Sequence, residues 1–355
     1  MGSYIIYPIV YLYAVAFYVL IKGRVGFALF LLILFLFAAL RGDVGNDACS
    51  YQEIYNNFNL QKRDLHFGRI EPIFALLNIV PNFFGLGHQS IFVIVAGLQS
   101  IIYLKIYQYV DSNTRWLLVF VVLMYYFPFH INTIRYGLAV ILFSYSFILY
   151  LNGKIKMSIV LAILSIGIHV AAAPLLLLMR SSAIKYIVTI VVALFLYNYF
   201  IDTGLIYSKS KYIYHLLEQN LVFNASIDWF IIRSVALFAI ILWFVKDTYY
   251  KFLFLFFILG VGTLDAFIPV VGRFSEAYVF ILLIFLSYIG ISKRSKFVIF
   301  VLYPFLLLTV YADIAYPVFK GDKIIEIARA AQMQSVISSG VRYSFYFEDD
   351  KLVCK

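Results

Sequence analysis

The feature that most constrains the fold is a series of long apolar runs separated by short turns that carry lysine or arginine. Of the 355 residues, 64% are hydrophobic and 13% are charged, whereas about 25% are charged in an ordinary soluble domain. The clearest apolar runs are 4–21, 25–40, 91–109, 116–129, 134–151, 186–201, 229–245, 252–268, 275–291 and 297–312. A transmembrane helix needs about 20 mostly apolar residues, so the sequence predicts an all-α polytopic membrane protein with about 10–12 transmembrane helices.

Two further apolar segments are too short or too interrupted to be simple spans. Residues 70–84 and 157–179 both contain proline, and the second also contains His169. We expect both to be broken or re-entrant, because interrupted helices at membrane depth are tolerated where they line a cavity. This cavity would open on the periplasmic side. The alternative, two full crossings, places Lys154 and Lys156 outside, against the preference of basic residues for cytoplasmic turns.

The net charge of +10 is explained by topology and needs no nucleic-acid partner. With re-entrant segments, the cytoplasmic turns hold twelve basic residues against two acidic ones, Asp111 and Asp247, and the rest of the chain is neutral. Residues 1–4 carry no lysine or arginine. The first run therefore lacks the basic start of a cleaved signal peptide, and we expect it to be a retained span that enters from the non-cytoplasmic side.

The expected organisation is a single membrane domain with appendages. Residues 1–312 form the polytopic domain, in which 41–69 and 202–228 are long outer loops. Residues 313–355 are a more polar C-terminal tail.

The first candidate site is the stretch that begins where the second apolar run ends. It reads Arg41-Gly-Asp43-Val-Gly-Asn-Asp47-Ala-Cys-Ser-Tyr51. The glycines allow a tight backbone path, and one of the two carboxylates could act as a general base. The alternative is an ordinary polar helix cap, with Asp43 or Asp47 at the N-cap. The spacing leaves both interpretations open.

Two further candidates lie at helix starts. Arg69-Ile-Glu71-Pro72 opens the 70–84 segment; Glu71 suits the positive end of a helix or the mouth of a cavity. Arg135 has no acidic residue within four positions and lies on the side where positive charge is disfavoured. It either snorkels to the interface or binds an anion, since guanidinium groups bind phosphate oxygens bidentately.

His169 and Arg273 complete the set of candidates. His169 lies within an apolar stretch, where a histidine is either a structural residue or a group for proton transfer or phosphate contact. Arg273 precedes another outward-facing helix start. It could pair with Glu276 or Asp265 instead of binding a ligand.

Several classes of enzyme are excluded by missing motifs. The sequence has no phosphate-binding P-loop, no GxSxG, no HExxH and no dinucleotide fingerprint, which disfavours a nucleotide-driven cytoplasmic enzyme. Its two cysteines form no CxxC pair, so a thiolate metal or redox site is not expected. The histidines are too far apart in sequence to suggest a metal pair.

Taken in order, the candidates resemble the EpsG/Wzy group of bacterial polysaccharide polymerases. Residues 41–51 resemble that family's first-loop pattern R-x-x-V-G-T-D-x-x-x-Y, with Asn46 in place of threonine. Glu71-Pro72 resembles its next acidic element.

Three later elements continue the resemblance as far as about residue 280. Ile134-Arg135-Tyr136-Gly-Leu-Ala139 resembles the family's I-R-Q-x-L/I-A helix start, with tyrosine in place of glutamine. Ile168-His169 resembles its F-H-x-S-A element, without the phenylalanine and serine, and Arg273-Phe with Tyr278 resembles a late arginine and aromatic element.

The resemblance implies a reaction, in which a glycan is transferred from undecaprenyl diphosphate to the next lipid-linked repeat unit. The work would take place at the outer face of the bacterial inner membrane, in O-antigen or exopolysaccharide synthesis. The residues that would bind the diphosphate are Arg135, Arg273 and Arg41. The candidates for the catalytic base are Asp47 first, then Asp43, Glu71 and His169. Substrate-binding candidates are Tyr51, Arg69 and Tyr136.

No metal and no other cofactor is implied by the resemblance. The expected partners are the undecaprenyl-diphosphate-linked oligosaccharide and membrane lipids, with a chain-length regulator as a further candidate. Three alternatives stay open. They are a lipid-linked oligosaccharide flippase or transporter, an O-antigen ligase, and a metal-dependent lipid-phosphosugar glycosyltransferase that uses Asp43 and Asp47.

Overall fold

The computed structural model describes a helical bundle. It describes residues 6–40, 48–58, 70–180, 235, 237–261 and 269–289, and within these the chain contains helices and no strand. The main helices are α1 (Ile6–Ile21), α2 (Gly23–Ala39), α3 (Ala48–Asn57), α4 (Pro72–Phe83), α5 (Gln89–Tyr109), α6 (Arg115–Tyr126), α7 (Ile134–Leu151), α8 (Ile155–Ile168), α9 (Thr248–Leu255) and α10 (Pro269–Ile289). The all-α expectation is confirmed for this part of the chain.

Three irregular helical segments adjoin the regular ones. Phe127–Asn132 continues α6 as a π-helix, and Phe256–Val261 continues α9 in the same way. Val170–Leu178 is a 3-10 helix that follows α8. By length and composition α5 and α7 are able to cross a membrane, and several shorter apolar helices accompany them. The number of spans, the outer loop 202–228 and the tail 313–355 lie partly or wholly outside the described residues and stay predictions.

The centre of the bundle is formed by helices that are apolar on all sides. In α6 every residue from Val121 to Tyr126 is buried, and in α10 the same holds from Ala277 to Leu286. A helix without a polar face is stable only where neighbours surround it. The two helices are also joined by a hydrogen bond, because the Thr114 hydroxyl donates to the Ser287 carbonyl at 2.6 Å.

The two ends of the bundle differ in charge. Helix α7 has 18 residues, so Arg135 at its start and Lys154 beyond its end are separated by about 27 Å of helix. Lys154 Nζ lies 3.0 Å from the Tyr109 hydroxyl, where α5 also ends. The basic residues at this end, which we call the basic end, are Lys22, Arg24, Arg115, Lys154, Lys156, Arg180, Lys246 and Lys251. All of them come from turns that the sequence assigns to the cytoplasm.

The segment from α8 to the 3-10 helix reverses direction at His169. This residue has an extended backbone (φ −153°, ψ 117°) between the two helices. Ser158, near the start of α8, has its Oγ 3.8 Å from Sδ of Met179, which follows the 3-10 helix. The bend that was predicted from the sequence is therefore confirmed, and both flanks of the segment lie at the basic end.

Helix α4 stays at the opposite end, which we call the site end. Near its start, the Phe74 ring lies 6.0 Å from the ring of Tyr51 on α3. Near its end, the Asn82 side chain donates to the Tyr55 carbonyl at 2.9 Å. Tyr51 and Tyr55 are one turn apart on the same short helix, so α4 does not traverse the bundle. This agrees with the prediction for residues 70–84.

The junction between α6 and α7 is a tight break that interior groups hold in place. The Gln99 side chain on α5 donates to the Phe129 carbonyl at 3.0 Å and lies 3.5 Å from the Ile134 carbonyl. The Thr133 hydroxyl donates to the Pro128 carbonyl at 2.9 Å. A Cβ on Gly137 would lie 2.3 Å from the Phe129 carbonyl oxygen. Glycine is therefore required where α7 begins.

We expect Gly137→Ala to destabilise the protein, because the added methyl group overlaps backbone atoms of Phe129. Overpacking of this kind costs about 1–3 kcal/mol, which outweighs the roughly 0.5–1 kcal/mol that alanine otherwise gains in a helix. Thermal unfolding in detergent measures the difference. Gly97→Ala is the matched control, since its Cβ would meet only the Phe35 side chain at an ordinary 3.7 Å. Equal stability of the two variants would contradict the prediction.

Candidate functional site

The site end holds a cluster of opposite charges contributed by three separate parts of the chain. Glu71 Oε2 lies 2.9 Å from Arg135 Nη1, and Glu71 Oε1 lies 3.0 Å from His169 Nδ1. The side chains of Glu71, Arg135 and His169 are 17%, 23% and 13% exposed. They are therefore largely withdrawn from solvent but can still be reached by a ligand.

Each of the three residues lies where a helix begins or is interrupted. Glu71 is the N-cap of α4, followed by Pro72 at the first helical position. Arg135 is the second residue of α7, and His169 forms the break after α8. The break leaves the Val170 N–H without a helical acceptor, and this group donates to Glu71 Oε1 at 3.2 Å. One carboxylate thus meets a guanidinium group, an imidazole ring and a backbone donor.

Close packing of α8 on α4 makes this meeting possible. A Cβ on Gly167 would lie 2.5 Å from Cγ1 of Ile73. Gly167 is two residues before His169, and Ile73 is two residues after Glu71. A larger side chain at position 167 would move the two functional residues apart.

Arg135 keeps donor groups available for a ligand. Its Nη1 is bonded to Glu71, and its guanidinium carbon lies 5.6 Å from the centre of the Phe74 ring, within cation–π range. The rest of the guanidinium has no hydrogen-bond partner among the described residues. A planar group with five N–H donors can hold a carboxylate and still bind phosphate oxygens.

The two described tyrosines of the candidate set are buried in the protein. Tyr136 is 2% exposed and its ring lies edge-on to the His169 ring at 5.5 Å. Tyr51 is 6% exposed, and its hydroxyl accepts a hydrogen bond from the Arg135 backbone N–H at 3.4 Å. The contacts described for both residues are with protein groups, and their predicted contact with substrate stays a prediction.

Other candidates are described incompletely or not at all. Arg41, Asp43, Asp47 and Arg69 lie outside the described residues. Arg273 belongs to α10, and the structure describes its backbone only. Helix α10 runs from the site end towards Ser287, which is bonded to Thr114 near the basic end. The backbone of Arg273 is therefore in the half of α10 that is nearer the site end.

Sequence reasoning missed the partner of Arg135. Only neighbouring acidic residues were considered, whereas Glu71 is 64 residues earlier in the chain. A usable signal was present, because an isolated Glu, Arg and His each stand at an interruption of an apolar run. Such charges in a bundle are expected to pair with one another. Among the described residues, no group of three or more His, Cys, Asp or Glu is arranged to hold a metal ion.

A comparison with known families agrees with this arrangement. The family model of the EpsG family matches residues 24–326, which is most of the chain. The chain belongs to the EpsG family. This family is related to the Wzy-type polysaccharide polymerases, so the resemblance inferred from the ordered motifs is confirmed. No curated protein and no solved structure is significantly similar to the chain.

Membership of the EpsG family indicates the general role of this protein. It indicates a membrane protein of polysaccharide biosynthesis, with a polymerase role on lipid-linked oligosaccharides. The Glu71–Arg135–His169 cluster lies inside the matched range, as do Tyr51 and Arg273.

We expect Glu71→Gln to destabilise this EpsG-family protein by about 2 kcal/mol, because the largely buried Arg135 guanidinium loses its counter-charge. Asp247→Asn is the matched control. It removes the charge partner of Arg180 in a pair that is 61% and 43% exposed, and asparagine can still cap α9. The control should change stability by less than about 0.5 kcal/mol. Thermal unfolding of both variants in detergent tests this, and a Glu71→Gln variant as stable as the control would refute it.

Proposed function

We propose that this protein polymerises lipid-linked glycan repeat units at the outer face of the bacterial inner membrane. It would transfer the growing glycan from undecaprenyl diphosphate to a hydroxyl of the next repeat unit, in O-antigen or exopolysaccharide synthesis. The observation that carries the proposal is the convergence of Glu71, Arg135 and His169 at the end of the bundle opposite the basic end. Membership of the EpsG family supports it.

In this proposal, arginine stabilises the leaving group. The acceptor oxygen attacks the anomeric carbon while the bond from that carbon to the diphosphate breaks, so negative charge grows on the lipid diphosphate. Donors fixed beside a developing anion lower the barrier more than donors that must reorganise. Arg135 meets this need because Glu71, the Phe74 ring and Tyr51 already hold it in place. Arg273 and Arg41 are proposed to assist it, and the reaction would need no metal ion.

The acceptor hydroxyl must lose a proton to a base. Glu71 is poorly suited because its two oxygens already contact Arg135, His169 and the Val170 N–H. We therefore assign Glu71 the task of orienting Arg135 and His169. His169 contacts Glu71 through Nδ1, which leaves Nε2 as the nitrogen that could accept a proton. Asp47 and Asp43, in the first outer loop, are the other candidates for the base.

We expect loss of the arginines to abolish long glycan chains. In a strain of the source organism that lacks this gene, the wild-type protein should restore a ladder of long chains on a glycan gel. Arg135→Ala and Arg273→Ala should leave single-repeat products, because the diphosphate is no longer neutralised. Arg135→Lys keeps the charge but not the planar fork of donors, and should restore only short chains.

The matched control for this experiment is Arg180→Ala, which removes an arginine from the basic end, where it pairs with Asp247 at 3.5 Å. This variant should give normal ladders, and tag detection in membranes should show equal amounts of every variant. Near-normal ladders for both Arg135→Ala and Arg273→Ala would overturn the proposed diphosphate site. If the strain without the gene lacks even single-repeat product at the cell surface and accumulates lipid-linked units inside the cell, a flippase is indicated instead.

The proposed orientation gives a separate prediction. Gly87, in the turn between α4 and α5, is exposed and has open space around its Cβ position, and Lys154 is exposed at the basic end. With Cys49 and Cys354 replaced by serine, Gly87→Cys should react with a membrane-impermeant maleimide in intact cells. Lys154→Cys should react only after permeabilisation. The reverse pattern would place the Glu71–Arg135–His169 cluster on the cytoplasmic side.

A further inference from the structure

Tyr51 makes a contact that the proposed chemistry does not use. Its hydroxyl is the acceptor for the backbone N–H of Arg135 at 3.4 Å. The first N–H groups of a helix have no acceptor within the helix, and Arg135 is the second residue of α7. Tyr51 thus completes the start of the helix that carries the arginine.

The side chain of Tyr51 is otherwise enclosed by aromatic rings. The Phe74 ring lies 6.0 Å away and the Phe92 ring lies 6.4 Å away. With 6% of its surface exposed, Tyr51 presents little area to a sugar or a lipid. Its position is that of a support within the protein.

Tyr51 lies one turn into α3, so its contact with Arg135 fixes the first turn of this helix. Helix α3 begins at Ala48, directly after Asp47, and Tyr51 is one helical turn into it. One turn of α-helix rises about 5.4 Å. A tether at Tyr51 therefore controls where the first turn of α3 lies relative to Arg135.

A second tyrosine on α3 fixes its other half to different elements. The Tyr55 hydroxyl donates to the Leu86 carbonyl in the α4–α5 turn, and the Tyr55 carbonyl accepts from the Asn82 side chain at 2.9 Å. Among the contacts between described residues, those of Tyr55 hold the second half of α3 to α4 and the α4–α5 turn, whereas that of Tyr51 reaches the backbone of Arg135.

We propose that Tyr51 is a positioning residue that locks the first turn of α3 onto the Arg135 end of α7 and so fixes the backbone of Arg135. The expected effect of Tyr51 on the reaction rate rests on the proposed polymerase function. The contact between Tyr51 and Arg135 does not depend on that function. It makes helix α3 part of the site that contains Glu71, Arg135 and His169. Arg135 then has its side chain fixed by Glu71 and its backbone fixed by Tyr51.

The test compares Tyr51→Phe with Tyr55→Phe, which each remove one hydroxyl from α3 and keep the ring. Activity is measured on purified protein in lipid nanodiscs, with lipid-linked repeat units extracted from a strain that lacks the gene. Tyr51→Phe should lower kcat about tenfold, on the order expected for one lost hydrogen bond, with KM within about twofold. Tyr55→Phe should leave kcat within about twofold of wild type.

Two measurements that do not depend on activity accompany the assay. Hydrogen exchange followed by mass spectrometry should show faster exchange of the peptide that contains Arg135 in Tyr51→Phe, but not in Tyr55→Phe. In a Cys354→Ser background, maleimide should label Cys49 faster in Tyr51→Phe than in wild type, because the first turn of α3 is released.

The outcomes separate the tether from the proposed function. Faster exchange and labelling in a protein without polymerase activity would support the tether and overturn the proposed function. Unchanged exchange, labelling and kcat in Tyr51→Phe would overturn the positioning role. Equal losses of kcat in Tyr51→Phe and Tyr55→Phe would also overturn it, because docking of α3 as a whole would then be what matters.

Discussion

The structure at the site end depends on one carboxylate that neutralises Arg135 and also contacts His169 in a largely apolar bundle. Glu71 contacts Arg135 and His169 at 2.9 and 3.0 Å. Ionised groups withdrawn from water are costly unless they are paired and hydrogen-bonded. Helix α4, the start of α7 and the bend after α8 must therefore meet at this point. This single requirement explains why α4 stays at the site end and why the chain turns back towards the basic end after α8.

Glu71, Arg135 and His169 lie where helices begin or are broken. At these positions other groups of the protein replace the hydrogen bonds that a continuous helix would make. The Val170 N–H donates to Glu71, and the Arg135 N–H donates to the Tyr51 hydroxyl. The Gln99 side chain lies within hydrogen-bond distance of carbonyl groups on both sides of the α6–α7 junction. In a bilayer such groups would otherwise be unsatisfied, at a cost of several kcal/mol each. Polar side chains in the interior thus satisfy backbone hydrogen-bonding groups as well as forming the candidate site.

Much of the fold could be predicted from local sequence. Apolar runs predicted helices, proline and His169 predicted the breaks, and lysine and arginine predicted which turns lie together at one end. Isolated charges at interruptions of apolar runs indicate that such residues pair in the bundle. Which partner Arg135 meets depends on the fold, because Glu71 is 64 residues away and no local pattern specifies which helix starts converge. Burial of Tyr51 and Tyr136 also depends on contacts that are distant in sequence. Both follow charged or polar residues in sequence, but packing against Phe74 and His169 encloses them.

The electrostatics of the cluster bear on how an anionic substrate would bind. Glu71 supplies a counter-charge to Arg135. This lowers the free-energy cost of withdrawing the Arg135 side chain, which is 23% exposed, from water. Only Nη1 is engaged by the carboxylate, and the guanidinium has further N–H donors in a fixed fork. In the proposed reaction the diphosphate would bind the donors that Glu71 does not engage, so Glu71 would not need to be displaced. His169 would then keep its contact with Glu71 throughout. The same carboxylate would hold both the arginine and the histidine in position during the reaction.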